Sequence, residues 1–205
     1  MDSLICLLKD RQDVVEFLAR GFKVLGEVIK TPDVGVRKQE LFIATLNKLG
    51  VVEEPGEQLG RKVDFYLCIG EEKKAYSFKT AKDVEVVKVA WNGFPSKERV
   101  KRFKFKSPIV YVIEEGIYVF ELDDIESVKK ELNFNKFWWI PSNKTNPRGF
   151  GIKRGAVEKL VQKAVEKGNY IAFPKVSGEI TRERYLDAFY EMVAKLADSL
   201  KTEHP

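Results

Sequence analysis

The stretch RKVDFYLCIGEEKKAYSFKTAK, Arg61 to Lys82, decides the fold. Side chains alternate between faces along a strand, so Val63, Phe65, Leu67 and Ile69 fall on one side of a first strand, with Asp64, Tyr66 and Cys68 on the other. After a charged turn, AYSFKTA repeats the pattern: Tyr76, Phe78 and Thr80 share one face, and Ala75, Ser77, Lys79 and Ala81 the opposite one. The two strands place Asp64 and Lys79 at equivalent positions, able to converge on one site. Buried charges cost stability unless compensated, so the pairing points to chemistry. The plainer reading is an ion pair across a surface hairpin, which is worth little.

Upstream, VRKQELFIATLNKLG is the clearest helix. Leu41, Phe42, Ala44, Leu46 and Leu49 cover a broad face, Gly50 is placed as a terminator, and Glu40 lies in the first or second turn. VVEEPGEQLG, between this helix and the hairpin, reads as a short strand or turn-rich connector. From Asp2 to about Lys30 apolar residues recur at helical spacing, giving two short helices or one interrupted at Gly21 or Gly26, followed by a loop at TPDVGV.

Downstream, DVEVVKVAW alternates partly, and SPIVYVIEEG with GIYVFELDD forms a hairpin near Gly116. DIESVKKEL reads as a helix capped by Asp123 or Asp124, and NKFWWIPSNKTNPRGFGIKRG as a long irregular loop. GAVEKLVQKAVEKG is an amphipathic helix ending at Gly168, YIAFP a short strand, and TRERYLDAFYEMVAKLADSLK a last helix. The expected fold is α/β, with a central mixed sheet flanked by helices. Residues 1–36 form an N-terminal helical extension, 37–132 the core, and 133–205 a loop and C-terminal helical part.

At 205 residues and 44% hydrophobic, the chain can bury one substantial core. Lysine plus arginine exceed aspartate plus glutamate by 36 to 31, which favours polyanionic partners. No run is long and apolar enough to span a membrane, and the start has an aspartate where a secretory signal carries positive charge. A soluble, cytoplasmic protein is the expectation. Cys6 and Cys68 lack metal-site spacing and read as small buried residues.

A helix carrying Glu40, a strand carrying Asp64, and a strand ending in Ser77-Phe78-Lys79, followed by two more strands, resembles the core of the PD-(D/E)XK nuclease superfamily. The resemblance covers about Arg37 to Ile125. It implies a restriction endonuclease-like fold and Mg²⁺-dependent hydrolysis of DNA phosphodiesters. Asp64, Glu40 and the Phe78 carbonyl would be metal ligands, and Lys79 would orient the attacking water and offset charge at phosphorus. Mg²⁺ suits such a set, since it prefers oxygen ligands and needs only one or two carboxylates plus a substrate phosphate. Serine stands at position 77 where the superfamily usually has Glu, Asp or sometimes Gln. A hydroxyl is the poorer ligand, so the site either binds one ion weakly, recruits another carboxylate, or is inactive.

The basic run Lys97, Arg99, Lys101, Arg102, Lys104 and Lys106, interleaved with Phe103 and Phe105, suits contact with phosphates. It also fits a solvated face whose aromatics pack inward. Asn143, Lys144, Asn146, Arg148, Lys153 and Arg154 are candidates for DNA contact beside Trp138 and Trp139, whose commoner role is burial under a loop. Size and the polar, aromatic loop favour a homodimeric type II restriction endonuclease reading duplex DNA. A structure-selective nuclease, of the Holliday-junction resolvase or homing type, and a non-catalytic DNA-binding module are the rivals.

Overall fold

The computed structural model describes residues 1–29, 33–55, 63–90, 96–141 and 149–175. A central sheet forms because five-residue apolar strands find partners on both edges. β1 (Val52–Glu53), β2 (Phe65–Ile69), β3 (Glu72–Thr80), β5 (Ile109–Ile113), β6 (Gly116–Phe120) and β9 (Tyr170–Ala172) lie in the order β1-β2-β3-β5-β6-β9. Only β3 and β5 run parallel; the other pairs are antiparallel, as in the expected mixed sheet. The β6–β9 approach requires Gly116, because a Cβ there would lie 2.1 Å from the Ile171 carbonyl oxygen.

The alternation of side chains divides the interior into two layers. Phe65, Leu67, Tyr76, Phe78, Val110, Val112, Ile117 and Val119 face one side and pack on α1 (Ser3–Asp10), α2 (Gln12–Val28) and α3 (Val34–Lys48). Ile109, Tyr111, Ile113, Tyr118 and Phe120 face the other. There they meet α5 (Leu122–Glu131), α7 (Arg154–Glu166) and a small second sheet, in the order β4-β8-β7, of β4 (Val87–Ala90), β8 (Phe150–Ile152) and β7 (Trp138–Trp139). The short helices α4 (Lys97–Lys101) and α6 (Phe134–Phe137) border this second layer. Leu4, Ile5, Leu8, Val14, Leu18 and Phe22 share one core with the sheet, so residues 1–29 are part of its packing.

Several expectations are corrected. The N-terminal helices break at Arg11, whose φ of −122° and ψ of 67° are non-helical; Gly21 and Gly26 lie within α2. Burial of the Val14–Phe22 stripe outweighs the roughly 1 kcal/mol that an interior glycine costs. Val34 and Gly35, expected in a loop, open α3, which begins two residues ahead of the expected helix. Glu121 is the N-cap of α5, and Asp123 and Asp124 sit in its first turn, where the helix dipole favours carboxylates. The expected loop around the tryptophans instead contains α6, β7 and β8, because Phe137, Trp138, Phe150 and Ile152 are all buried. Cys6 is exposed on α1, and Cys68 is half-buried on β2. The expected last helix, residues 181–201, lies outside the described residues. Gly50 and Gly168 do terminate α3 and α7, each at φ +70°. Paired return bonds close both ends: Gly50 to Asn47 and Val51 to Leu46, then Gly168 to Val165 and Asn169 to Ala164.

A polar pin fixes α1 to the sheet. The fully buried Asp2 carboxylate accepts from the Leu4 amide (2.9 Å), the Tyr76 hydroxyl (2.7 Å) and Lys74 Nζ (2.7 Å), and Lys74 also donates to Glu121 (3.0 Å). Burial alone would lower the Lys74 pKa, but the two carboxylates more than offset it and hold the group above its ordinary 10.5. The native state therefore binds this proton more tightly than the unfolded chain does. That stabilisation is complete below pH 10.5 and is lost as pH rises through the raised native pKa. Lys74→Met should cost about 1–3 kcal/mol near neutral pH. In urea titrations the gap from wild type should narrow above pH 10.5; a pH-independent gap would contradict the ion-pair account.

Candidate active site

The site lies where β2 and β3 part. β2 covers β3 from Glu72 to Tyr76, and one further bond, the Asp64 amide to the Tyr76 carbonyl (2.8 Å), ends the ladder. Beyond it, Ser77 to Thr80 pair only on the far edge, with Ile109 to Val112 of β5. Ser77 donates its amide to the Pro108 carbonyl on that side, so the Phe78 N–H and C=O turn to the edge that β2 has left. The Asp64 carboxylate fills the gap: its Oδ2 accepts from the Phe78 amide at 2.7 Å.

Lys79 joins the same oxygen. Its Nζ lies 3.2 Å from Asp64 Oδ2 and 2.7 Å from the Phe78 carbonyl oxygen, with both charged side chains about a quarter exposed. The ammonium thus bridges the two oxygens that the sequence resemblance assigns to a metal. Ser77 shares this face and accepts a hydrogen bond from the Ser107 hydroxyl at 3.3 Å. Asp64, Ser77, Lys79, Lys106 and Ser107 form the polar lining of a pocket whose apolar wall is Val89, Phe103, Phe105 and Ile109. Ions that open onto a shared cavity differ from an exposed pair lying flat on a sheet.

Glu40 is not the helix residue that reaches Asp64. It is exposed and pairs with Arg37 at 2.7 Å, whereas Gln39 Nε2 lies 3.5 Å from Asp64 Oδ1. The reason is helical phase: Gln39, Phe42, Ile43 and Leu46 follow the i, i+3, i+4, i+7 spacing of the inward stripe, and the next residue is rotated by about 100°. Gln39 therefore heads the buried face of α3. The apolar spacing of Phe42, Ile43 and Leu46 carries this signal in the sequence, setting Gln39 rather than Glu40 on the inward face.

The donor set can be tested against Mg²⁺. Among the described residues no three His, Cys, Asp or Glu side chains cluster to hold a metal ion. One carboxylate, the Phe78 carbonyl and the Ser77 hydroxyl remain. This fits a largely hydrated ion that takes one carboxylate and completes its shell with water and substrate phosphate. Lys79 would have to yield the two oxygens it now bridges.

The basic run is divided between surface and pocket. Ser96 caps α4 through the Arg99 amide, Val100 is buried, and Lys97, Arg99, Lys101, Arg102, Lys104 and Lys106 are exposed, Lys106 also lining the pocket. Phe103 and Phe105 turn inward onto Trp138, with ring centroids 6.0 and 5.8 Å away. Trp138 is buried against Phe137 and Phe150 as well, leaving it no free face on which a base could stack. Trp139 is half-buried, with Lys88 5.8 Å from its ring centre. Lys153 donates to the Asn135 carbonyl and Arg154 pairs with Glu158. Asn143, Lys144, Asn146 and Arg148 lie outside the described residues.

Neither family models nor curated proteins match this chain. Among solved structures it is similar to a restriction endonuclease in complex with substrate DNA, with a TM-score of 0.57 and 16% identity over 91% of this chain and 94% of that one. The chain accordingly has a restriction endonuclease-like fold: a six-stranded mixed sheet between helical layers.

The capping geometry at Asp64 has a stability signature. Asp64→Asn keeps an acceptor for the Phe78 amide and should cost no more than about 1 kcal/mol. Asp64→Ala leaves that amide without its partner and should cost about 1–3 kcal/mol. Equal losses in chemical denaturation would contradict the arrangement.

Proposed function

We propose that this chain is a Mg²⁺-dependent endonuclease that hydrolyses phosphodiesters in duplex DNA, as a homodimeric type II restriction endonuclease. The observation that carries the reading is the convergence of Asp64, Lys79 and the Phe78 carbonyl at an open strand edge. It is supported by the fold shared with a nuclease solved on its DNA and by the exposed cations of α4 beside the pocket. Asp64 and the Phe78 carbonyl would hold the ion, with Ser77 contributing its hydroxyl. Bound there, Mg²⁺ would supply Lewis-acid polarisation of the phosphate.

The protein's own groups have distinct tasks. Asp64 provides the negative charge at the strand edge, and its bond from the Phe78 amide fixes the carboxylate's direction. Lys79 is anchored on a strand with its ammonium 3.2 Å from that carboxylate, placed to orient a water and to offset charge developing on the phosphate oxygens. Gln39 steadies the second carboxylate oxygen from α3. Lys97, Arg99, Lys101, Arg102 and Lys104 would bind the flanking backbone by charge, so affinity should fall steeply with salt. A two-fold partner would supply one such site to each strand.

One observation favours a second reading, a DNA-binding module without cleavage. Ser77 lacks the second carboxylate, and Lys79 already bridges the two oxygens. Incubation with linear and branched DNA separates the possibilities. Discrete fragments from linear DNA in Mg²⁺ support the restriction enzyme, cutting of branched DNA alone supports a structure-selective nuclease, and salt-sensitive binding without cutting supports the module.

Within the nuclease reading, Lys79→Ala should lower the cleavage rate by about 10²-fold or more. Glu40→Ala should leave it close to wild type, and Gln39→Ala should fall between them. Single-turnover cleavage measures all three, and a Glu40 variant as impaired as the Lys79 variant would show that the helix contributes through Glu40 after all.

A further inference from the structure

We propose that Lys106 is a phosphate-binding residue, forming with Lys79 and the Ser77–Ser107 hydroxyl pair a cradle for the phosphate to be cleaved. The proposal rests on the nuclease reading and adds to it a residue that neither the superfamily pattern nor the fold comparison singles out. Lys106 immediately precedes Ser107, whose hydroxyl bonds to Ser77, and Pro108, whose carbonyl accepts the Ser77 amide. Those two contacts clamp the chain beside β3 and bring Lys106 to the pocket that Asp64 and Lys79 line.

The charge of that pocket favours an anion. Its polar lining has one carboxylate against two ammonium groups, and the carboxylate is already bonded by Lys79 and by the Phe78 amide. Among the described residues Lys106 forms no ion pair, whereas Lys79 is paired with Asp64. The Ser77 and Ser107 hydroxyls line the same pocket, with Ser107 donating to Ser77. The Phe103 and Phe105 rings wall the same space, and a low-dielectric wall in a cleft lined mostly by one sign of charge focuses the field that attracts an anion. Two ammonium groups with these hydroxyls suit a phosphate group, whose oxygens point in several directions. Lys104, two residues earlier on the same run, is exposed as Lys106 is but absent from the lining, so it serves as an internal control for labelling.

Two readouts on the full chain test this. In the first, lysines are acylated with and without inorganic phosphate and read by mass spectrometry. Lys106 should be protected selectively while Lys104 is not; equal labelling of both at all phosphate concentrations would overturn the cradle. In the second, single-turnover cleavage at saturating duplex DNA compares Lys106→Gln, Lys106→Arg and Lys104→Gln. Lys106→Gln should lose about 10–100-fold in rate with partial recovery in Lys106→Arg. Lys104→Gln should weaken DNA binding in a salt-dependent way and cost less than Lys106→Gln in the rate at saturating DNA. A Lys106→Gln enzyme as fast as wild type would overturn the proposal while leaving the nuclease reading intact. Selective protection in a protein that cuts no DNA would support the cradle and remove the nuclease reading instead.

Discussion

The bond from the Phe78 amide to the Asp64 carboxylate holds the site together. β3 is shared between two neighbours that cover different halves of it, β2 along Glu72 to Tyr76 and β5 along Ser77 to Thr80. Where β2 ends, a backbone donor would be left unmade, at a cost of about 1–3 kcal/mol if buried. The Asp64 side chain replaces the missing strand at 2.7 Å. A structural need thereby fixes a carboxylate beside the Phe78 carbonyl, and Lys79, on the same face as the alternate residues of β3, donates to both at 3.2 and 2.7 Å. The proposed site occupies the place where the sheet ladder runs out.

The second layer gives this opening its walls. Tyr111 of β5 donates to the Asp83 carbonyl and accepts from the Glu85 amide, tying the chain after β3 back to the sheet. Burial pushes this hydroxyl up to about 12, so it stays protonated and able to make both bonds across the physiological range. Phe103 and Phe105 stack into the Trp138 cluster, which holds the basic segment by its aromatics while leaving its cations outside. The aromatic interleaving therefore anchors the segment, and its lysines are displayed as a consequence.

Much of this was legible in the sequence where contacts are local. The alternation through Asp64 and Lys79, the β5–β6 hairpin at Gly116, and the glycine ends of α3 and α7 all depend on neighbours within a few residues. The small sheet was not legible, because β4 and β8 hold four and three residues and pair across some sixty positions of chain. Isolated fragments of that length carry little periodic signal. The placement of Glu40 away from Asp64 has a different reason. Residue chemistry suggested the acid, but the phase set by Phe42, Ile43 and Leu46 decides which side chain turns toward β3. The exposure of Cys6 likewise depends on which face α1 presents to the core, and Leu4, Ile5 and Leu8 claim that face.

The central claim is that the Asp64–Phe78–Lys79 arrangement is the hydrolytic centre of a DNA nuclease. Its most direct test is plasmid DNA incubated with the wild-type chain in Mg²⁺, in EDTA, and with Asp64→Asn, the variant expected to remain folded. The account predicts cleavage by wild type in Mg²⁺ alone and none by Asp64→Asn. Undiminished cleavage by Asp64→Asn, or none by the wild type across a range of Mg²⁺ concentrations, would contradict it.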